Sequence, residues 1–190
     1  VIEAGFFPLI EAKAIDGDLS LVAIEGIKGL KSHIEVLEGV ITLVVNPMRD
    51  AEEVTWTGEA SDVWDLDNTP NFASSNGNFV SGDQVIFGDD AQSFTVNIVE
   101  EVSPQRITFT ANQHDYEIVG ESSIVGDCEI TLDGDAKVSI GNTNTFQGQI
   151  MVNHGSLVPA TLANKDGVAY GALGGIDNRV VLNNRAKLVT

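Results

Sequence analysis

The chain has 190 residues, and its 10 Lys and Arg against 28 Asp and Glu give a formal net charge of −18. That balance argues against nucleic acid as a partner, because phosphate contact needs clustered cations, and it disfavours an electrostatic hold on anionic membranes. Apolar residues make up 43% of the chain but aromatics only 6%, so the interior is built from Val, Ile, Leu and Ala, which suit narrow stacks of strands.

A single cysteine, Cys128, excludes an internal disulfide framework. Its place in the run Ile124-Val-Gly-Asp-Cys-Glu-Ile130 makes it a small buried hydrophobe in preference to a reactive thiol. No apolar run is long enough to span a bilayer, so no transmembrane segment is expected. No basic stretch followed by an apolar one marks a signal peptide, and the start at Val1 points to a processed or excerpted chain.

Residues 1–30 read as an N-terminal segment, either a cap or a strand donated to a neighbour, in which Phe6-Phe7-Pro8-Leu9-Ile10 is too short to define a helix. From Leu19 the pattern is β, over Leu19 to Ile24, Ser32 to Leu37 and Val40 to Val45, punctuated by Gly26, Gly29 and Gly39. Gly39 sits between two strand-like halves, which predicts that coils begin this early. Residues 47–80 differ. They form an acidic excursion without Lys or Arg after Arg49, and Trp56, Trp64 and Phe72 are expected to pin this loop over an apolar surface. Strand signals resume at Gln84 to Phe87, Phe94 to Ile98, Ile107 to Phe109 and Tyr116 to Val119. No segment has the composition of a linker, so 1–190 read as one domain.

Three later segments superimpose: Ile130 to Val138, Ile150 to Val158 and Val180 to Leu188. In each, alternating apolar residues lead into an Asx turn and then a second apolar pair. Such a strand-turn-strand unit, with loops absorbing differences in spacing, is what a parallel β-solenoid requires. Coiling in register would stack Ile130, Ile150 and Val180 in one buried column and Leu132, Val152 and Leu182 in another. It would also align Asp133, Asn153 and Asn183 as a turn ladder bonded along the stack. The alternative is an antiparallel sandwich whose hairpins share turn residues.

An ordered series of short motifs resembles the autotransporter-associated (passenger-associated) β-strand repeat of bacterial surface proteins. The series runs through Trp56-Thr-Gly58, Trp64, Asn71-Phe72, Gly82-Asp83-Gln-Val-Ile-Phe87, Val102-Ser-Pro104, Ile107-Thr-Phe109 and Tyr116-Glu-Ile-Val-Gly120. It continues through Ile124-Val-Gly126, Asn142-Thr-Asn-Thr-Phe-Gln-Gly148, Val152-Asn-His-Gly-Ser-Leu157 and Ala172-Leu-Gly174. Phe72 stands where the family usually carries Trp, the glycine-rich step after Asn144 is shortened, and one full copy of the unit is present. Within residues 1–190 no membrane-barrel segment is read. The resemblance implies an all-β, right-handed, single-stranded parallel β-helix with one long loop excursion, located outside the cell or on a bacterial surface.

Chemical sites are sparse. His33, His114 and His154 are not spaced as zinc ligands. Asp16-Gly-Asp18, Gly88-Asp-Asp90 and Asp133-Gly-Asp135 place carboxylates around glycine turns as calcium would need, without a complete calcium loop. A polysaccharide lyase wants cations beside its carboxylates, and Arg106 is the lone cation between Asp50 and Ala136. No nucleophile elbow, P-loop or dinucleotide fingerprint occurs. The expectation is therefore a non-enzyme without catalytic residues, metal or cofactor. The last residues, Val180 to Val189, read as a regular coil with no cap, and Arg179, Arg185 and Lys187 make it locally basic against an acidic body. That polarity favours a head-to-tail partner, namely a second copy of the chain in a surface filament. Two other readings stay open. One is a piece of a larger adhesin that uses its lateral face or its Trp56 to Phe72 loop on surface glycans or other cells, and the other is a carbohydrate-active β-helix.

Overall fold

The computed structural model describes residues 5–11, 19, 24, 30–47, 49–163, 169–183 and 185–190. The chain divides into two compact units, Val1–Asp50 and Ala51–Thr190.

The first unit holds β1 (Gly5–Glu11), β2 (Leu30–Leu37) and β3 (Val40–Pro47) in one antiparallel sheet of order β1-β3-β2. Leu37 pairs with Val40 across Glu38 and Gly39, whose φ values of 51° and 83° are both positive. Two consecutive positive φ values define the tight hairpin turn whose twist matches that of its strands, and glycine adopts one of them without a Cβ penalty. Ser32 to Leu37 and Val40 to Val45 are thus the arms of a hairpin and not early coils of a parallel stack. Alternation is common to both, and the two-residue turn decides between them. Phe6 to Ile10 lies in a strand, while most of Leu19 to Ile24 and of residues 12–29 lies outside the described residues.

The second unit contains, in chain order, β4 (Glu53–Trp56), β5 (Val63–Trp64), β6 (Phe72–Ala73), β7 (Gln84–Phe87), β8 (Thr95–Ile98), β9 (Arg106–Phe109), β10 (Tyr116–Val119), β11 (Glu129–Leu132), β12 (Lys137–Ile140), β13 (Gln149–Val152), β14 (Ser156–Pro159), β15 (Tyr170–Gly171), β16 (Gly174–Gly175), β17 (Arg179–Leu182) and β18 (Lys187–Leu188). Strands β4, β7, β9, β11, β13 and β17 pair in parallel along one sheet; β5, β8, β10, β12, β14 and β18 do so along a second. Each coil contributes one strand to each sheet before the chain steps on. Parallel bridges at Val102–Ile124 and Asp127–Gln147 begin a third, irregular side. This is an all-β body of long parallel sheets made from short, regularly spaced strands, consistent with a β-solenoid. The antiparallel sandwich does not fit that register.

Alternation decides what is buried. In β4, β7, β9, β11 and β13 the second and fourth residues face inward and the third faces out. Trp56, Phe87, Phe109, Leu132 and Val152 therefore share one inner column, aromatic at the start and aliphatic further along. Phe87 and Phe109 stack at 4.8 Å with 14° between their planes. Full burial of each such side chain stabilises by about 1.5–3 kcal/mol.

The acidic excursion is shorter than the sequence implied. Residues 53–56 and 63–64 already belong to the two parallel sheets, and within the detour at 65–83 β6 returns to the first sheet, antiparallel to β4. Asn71 holds this detour as a substitute for backbone pairing. Its Oδ1 accepts from the amides of Ala60 and Ser61 (2.9 and 3.0 Å), and its Nδ2 donates to Val63 O and Ser61 Oγ (2.7 and 3.0 Å). A fully buried amide is tolerated because all of its valences are met.

Candidate functional site

Ile130, Ile150 and Val180 are register partners, as are Leu132, Val152 and Leu182. The first two members of each column are buried. Val180 is half-buried and Leu182 is 47% exposed, because among the described residues β17 pairs on one side alone. At the turns, Asn153 Nδ2 donates to Asp133 Oδ1 (2.6 Å) and Asn183 Nδ2 donates to Asn153 Oδ1 (2.8 Å). Neighbouring turns use side chain to backbone contacts for the same purpose. Asp89 accepts from the amides of Asn112, Gln113 and His114, Asn112 Oδ1 from Asp135 N, and Asp115 Oδ1 from Lys137 N.

These contacts explain the acidic turns. The three amides hold the Asp89 carboxyl below the usual carboxylate range, and Lys137 lowers Asp115, first through its backbone N–H. Asp133 is engaged by Asn153, and Asp135 lies 3.5 Å from His154 Nδ1. The carboxylates of Asp89, Asp115, Asp133 and Asp135 thus join one coil to the next. Asp16 and Asp18 lie outside the described residues. Among the described residues no three His, Cys, Asp or Glu side chains gather as a metal site. The histidines each have different neighbours. His33 lies 3.8 Å from Glu35, and His114 stacks on Phe94 at 4.3 Å with Asp89 beside it.

Trp56, Trp64 and Phe72 are all buried. Phe72 meets the edges of Trp56 at 5.2 Å and Trp64 at 5.9 Å, and Trp64 meets Phe79 and Phe87 at 5.3 and 5.7 Å. They are the interior of the first coil, so the excursion presents none of them as a ligand platform. Cys128 is buried as well, and burial, with Glu129 next to it, pushes its thiol up to about 12.

What the sequence reading missed is a polar trough on the lateral face. From β7 onward, the residue that opens each strand of the first sheet points outward, giving a row of Gln84, Arg106, Glu129, Gln149 and Arg179 in register. Beside it runs a second row, Gln105, Asp127 and Gln147, on the incoming chain. The two rows bound a hollow of about 600 Å³. A second hollow of about 480 Å³ shares Gln147, Gly148 and Gln149 with the first and extends the trough to Tyr170, Ile176 and Arg179. Arg106 Nη2 lies 3.3 Å from Glu129 Oε2. The signal for this row lay one residue before each apolar repeat, at Glu129, Gln149 and Arg179, where no hydrophobic pattern marks it.

Comparison with protein-family models, with curated proteins and with solved structures returned no match to this chain.

Proposed function

We propose that this chain is a non-catalytic structural segment of a bacterial surface protein, a right-handed parallel β-helix whose coils add end to end, with a second copy of the chain as the partner. The carrying observation is the ladder Asp133–Asn153–Asn183 together with its columns, which reproduces one coil on the next without change of register. A further coil laid on β17 and β18, from a second copy or from more of the same protein, would meet an open backbone edge, the exposed Leu182 and Val189, and the amide of Asn183. Unpaired edges of this type recruit strands. A heterologous contact of that kind gives an open filament when its rotation does not close. The extracellular or cell-surface setting rests on the ordered motifs from Trp56 to Gly174.

Negative-stain electron microscopy of the purified 190-residue chain tests the assembly. Filaments one solenoid wide are expected, and Leu182→Lys, which places a charge on the open edge beside β17, should return them to monomers. Wild-type protein that remains monomeric at high concentration would overturn the reading.

A second reading, an adhesin segment that binds ligand on its lateral face, is favoured by the trough.

A further inference from the structure

The geometry points to the trough over β7, β9, β11, β13 and β17 as a binding site for a neutral oligosaccharide lying along the stack of coils. This rests on the lateral-face reading and is independent of end-to-end assembly.

Four observations lead there. The first is unspent hydrogen-bonding capacity. Asn71, Asn112, Asn144, Asn153 and Asn178 all spend their side-chain amides on protein contacts. Gln84, Gln105, Gln147 and Gln149 make no side-chain hydrogen bond among the described residues, and all four line the same trough. Each offers two donors and an acceptor, the mixture that rows of sugar hydroxyls require.

Shape is the second. Five strands spaced by about 4.8 Å give the floor a length near 19 Å, long and shallow enough for several sugar rings laid end to end. Its polar groups recur at each coil, so a ligand that itself repeats would meet equivalent partners along its length.

The third is charge. Arg106 is paired with Glu129, Asp127 stands on the parallel row, and at the far end Arg179 shares the lining with Asp177, so the trough offers no excess of cations. On a chain of net charge −18, a polyphosphate or polyuronate would be repelled. Asp127 and Glu129, the latter paired with Arg106, do not make a cation site either. What remains is a polar, uncharged ligand.

Fourth, the far end has an apolar wall. Tyr170 and Ile176 are 44% and 47% exposed there, and Tyr170 is held by its antiparallel pairing with Gly175. A tyrosine ring presents a flat apolar face with a hydrogen-bonding rim, which matches the C–H face and hydroxyl edge of a pyranose.

Saturation-transfer NMR with three soluble probes, cellohexaose, maltohexaose and laminarihexaose, tests the proposal, with hexagalacturonate as the charged comparison. Transfer to at least one neutral probe is expected, and weaker transfer to hexagalacturonate. Tyr170→Ala, and separately the pair Gln105→Ala with Gln147→Ala, should each weaken that binding about tenfold while far-UV circular dichroism stays unchanged. Ser139→Ala, outward on the other sheet, should leave it unchanged. No transfer to any neutral probe at millimolar concentration, stronger binding of hexagalacturonate, or binding untouched by both trough variants would overturn the assignment. Monomers that bind sugar refute only the assembly reading; filaments that ignore sugar refute only this one.

Discussion

Asn153 reaches one coil back to Asp133, Nδ2 to Oδ1 at 2.6 Å, and offers its own Oδ1 to Asn183 at 2.8 Å on the next coil. Its side chain is therefore both donor and acceptor in a ladder that fixes three turns in register. Asn153→Ala removes both bonds and should cost about 1–2 kcal/mol in urea unfolding. Asn153→Asp should cost more at low salt, because it sets a carboxylate against Asp133, and added salt should recover part of the loss. A neutral Asn153→Ala would mean that the columns alone set the register.

That ladder was legible in the sequence because three copies of strand, Asx turn and strand align without a gap, and alternation of period two leaves one choice of inward face. The hairpin at Glu38-Gly39 is hidden in the sequence, since its arms alternate just as coil strands do and one turn carries the whole distinction. Trp56 and Trp64 read as loop residues in the sequence because the acidic residues around them mask two short strands. The trough was illegible for another reason. Its side chains follow no hydrophobic pattern, and only the register of five separate strands brings Gln84, Glu129 and Gln149 into line.

Gly155 closes the turn that carries Asn153. Its φ is +68°, and a Cβ there would fall 2.3 Å from Ala136 O and 2.7 Å from Gly134 O, both backbone atoms of the coil beneath. Neither can withdraw without breaking the stack. Gly155→Ala should destabilise by about 2–4 kcal/mol. Gly141 supplies the contrast. It lies outside the left-handed region, and the nearest atom to its would-be Cβ is at 3.4 Å, an ordinary contact. Gly141→Ala should be neutral or gain about 0.5 kcal/mol through the unfolded chain. Equal losses at the two positions would contradict the close-approach argument.

Asp89 makes stability depend on acid. Its carboxyl is held below its ordinary value by the amides of Asn112 and Gln113, and further by His114. A group whose folded pKa is depressed contributes stability that is complete above its unfolded value and disappears as pH falls through the folded one. Asp115, lowered by Lys137, acts with the same sign one coil later. Wild type should therefore lose stability as pH drops from about the unfolded carboxylate value near 4 downward. Asp89→Asn should start lower at pH 7 and show a shallower acid limb in thermal melts followed by circular dichroism. An unchanged limb in that variant would place the acid sensitivity elsewhere.

Cys128 tests the interior of the third side. Its thiol is buried among apolar neighbours; burial pushes it up to about 12, and Glu129 adds a smaller push the same way. The thiolate is the reactive form, so folded protein should resist a thiol-specific disulfide reagent at pH 8 and react at once in denaturant. Cys128→Ser exchanges a soft buried sulfur for a hydroxyl and should cost about 1–3 kcal/mol, whereas Cys128→Ala should cost less than a polar replacement of that kind. Rapid labelling of the folded chain would show that the coil opens there.

The two tryptophans of the first coil should respond differently to the same substitution. Trp56 Nε1 donates to Ser93 O at 2.8 Å, so Trp56→Phe strands a carbonyl as well as shrinking the side chain. Among the described residues Trp64 Nε1 is buried without a hydrogen-bond partner, and its ring packs against Phe72, Phe79 and Phe87. An aromatic face accepts an N–H only weakly, so the indole donor at Trp64 carries an uncompensated desolvation cost. Trp64→Phe removes that cost while keeping edge-to-face contact, which offsets much of the small cavity it opens. We expect about 2–3 kcal/mol lost for Trp56→Phe and under about 1.5 kcal/mol for Trp64→Phe in urea unfolding. Trp64→Ala, which empties the cage, should cost about 3–5 kcal/mol. If Trp64→Phe proves as damaging as Trp56→Phe, the indole nitrogen of Trp64 has a partner in solution, and a buried water between it and the phenylalanine cage becomes the first place to look.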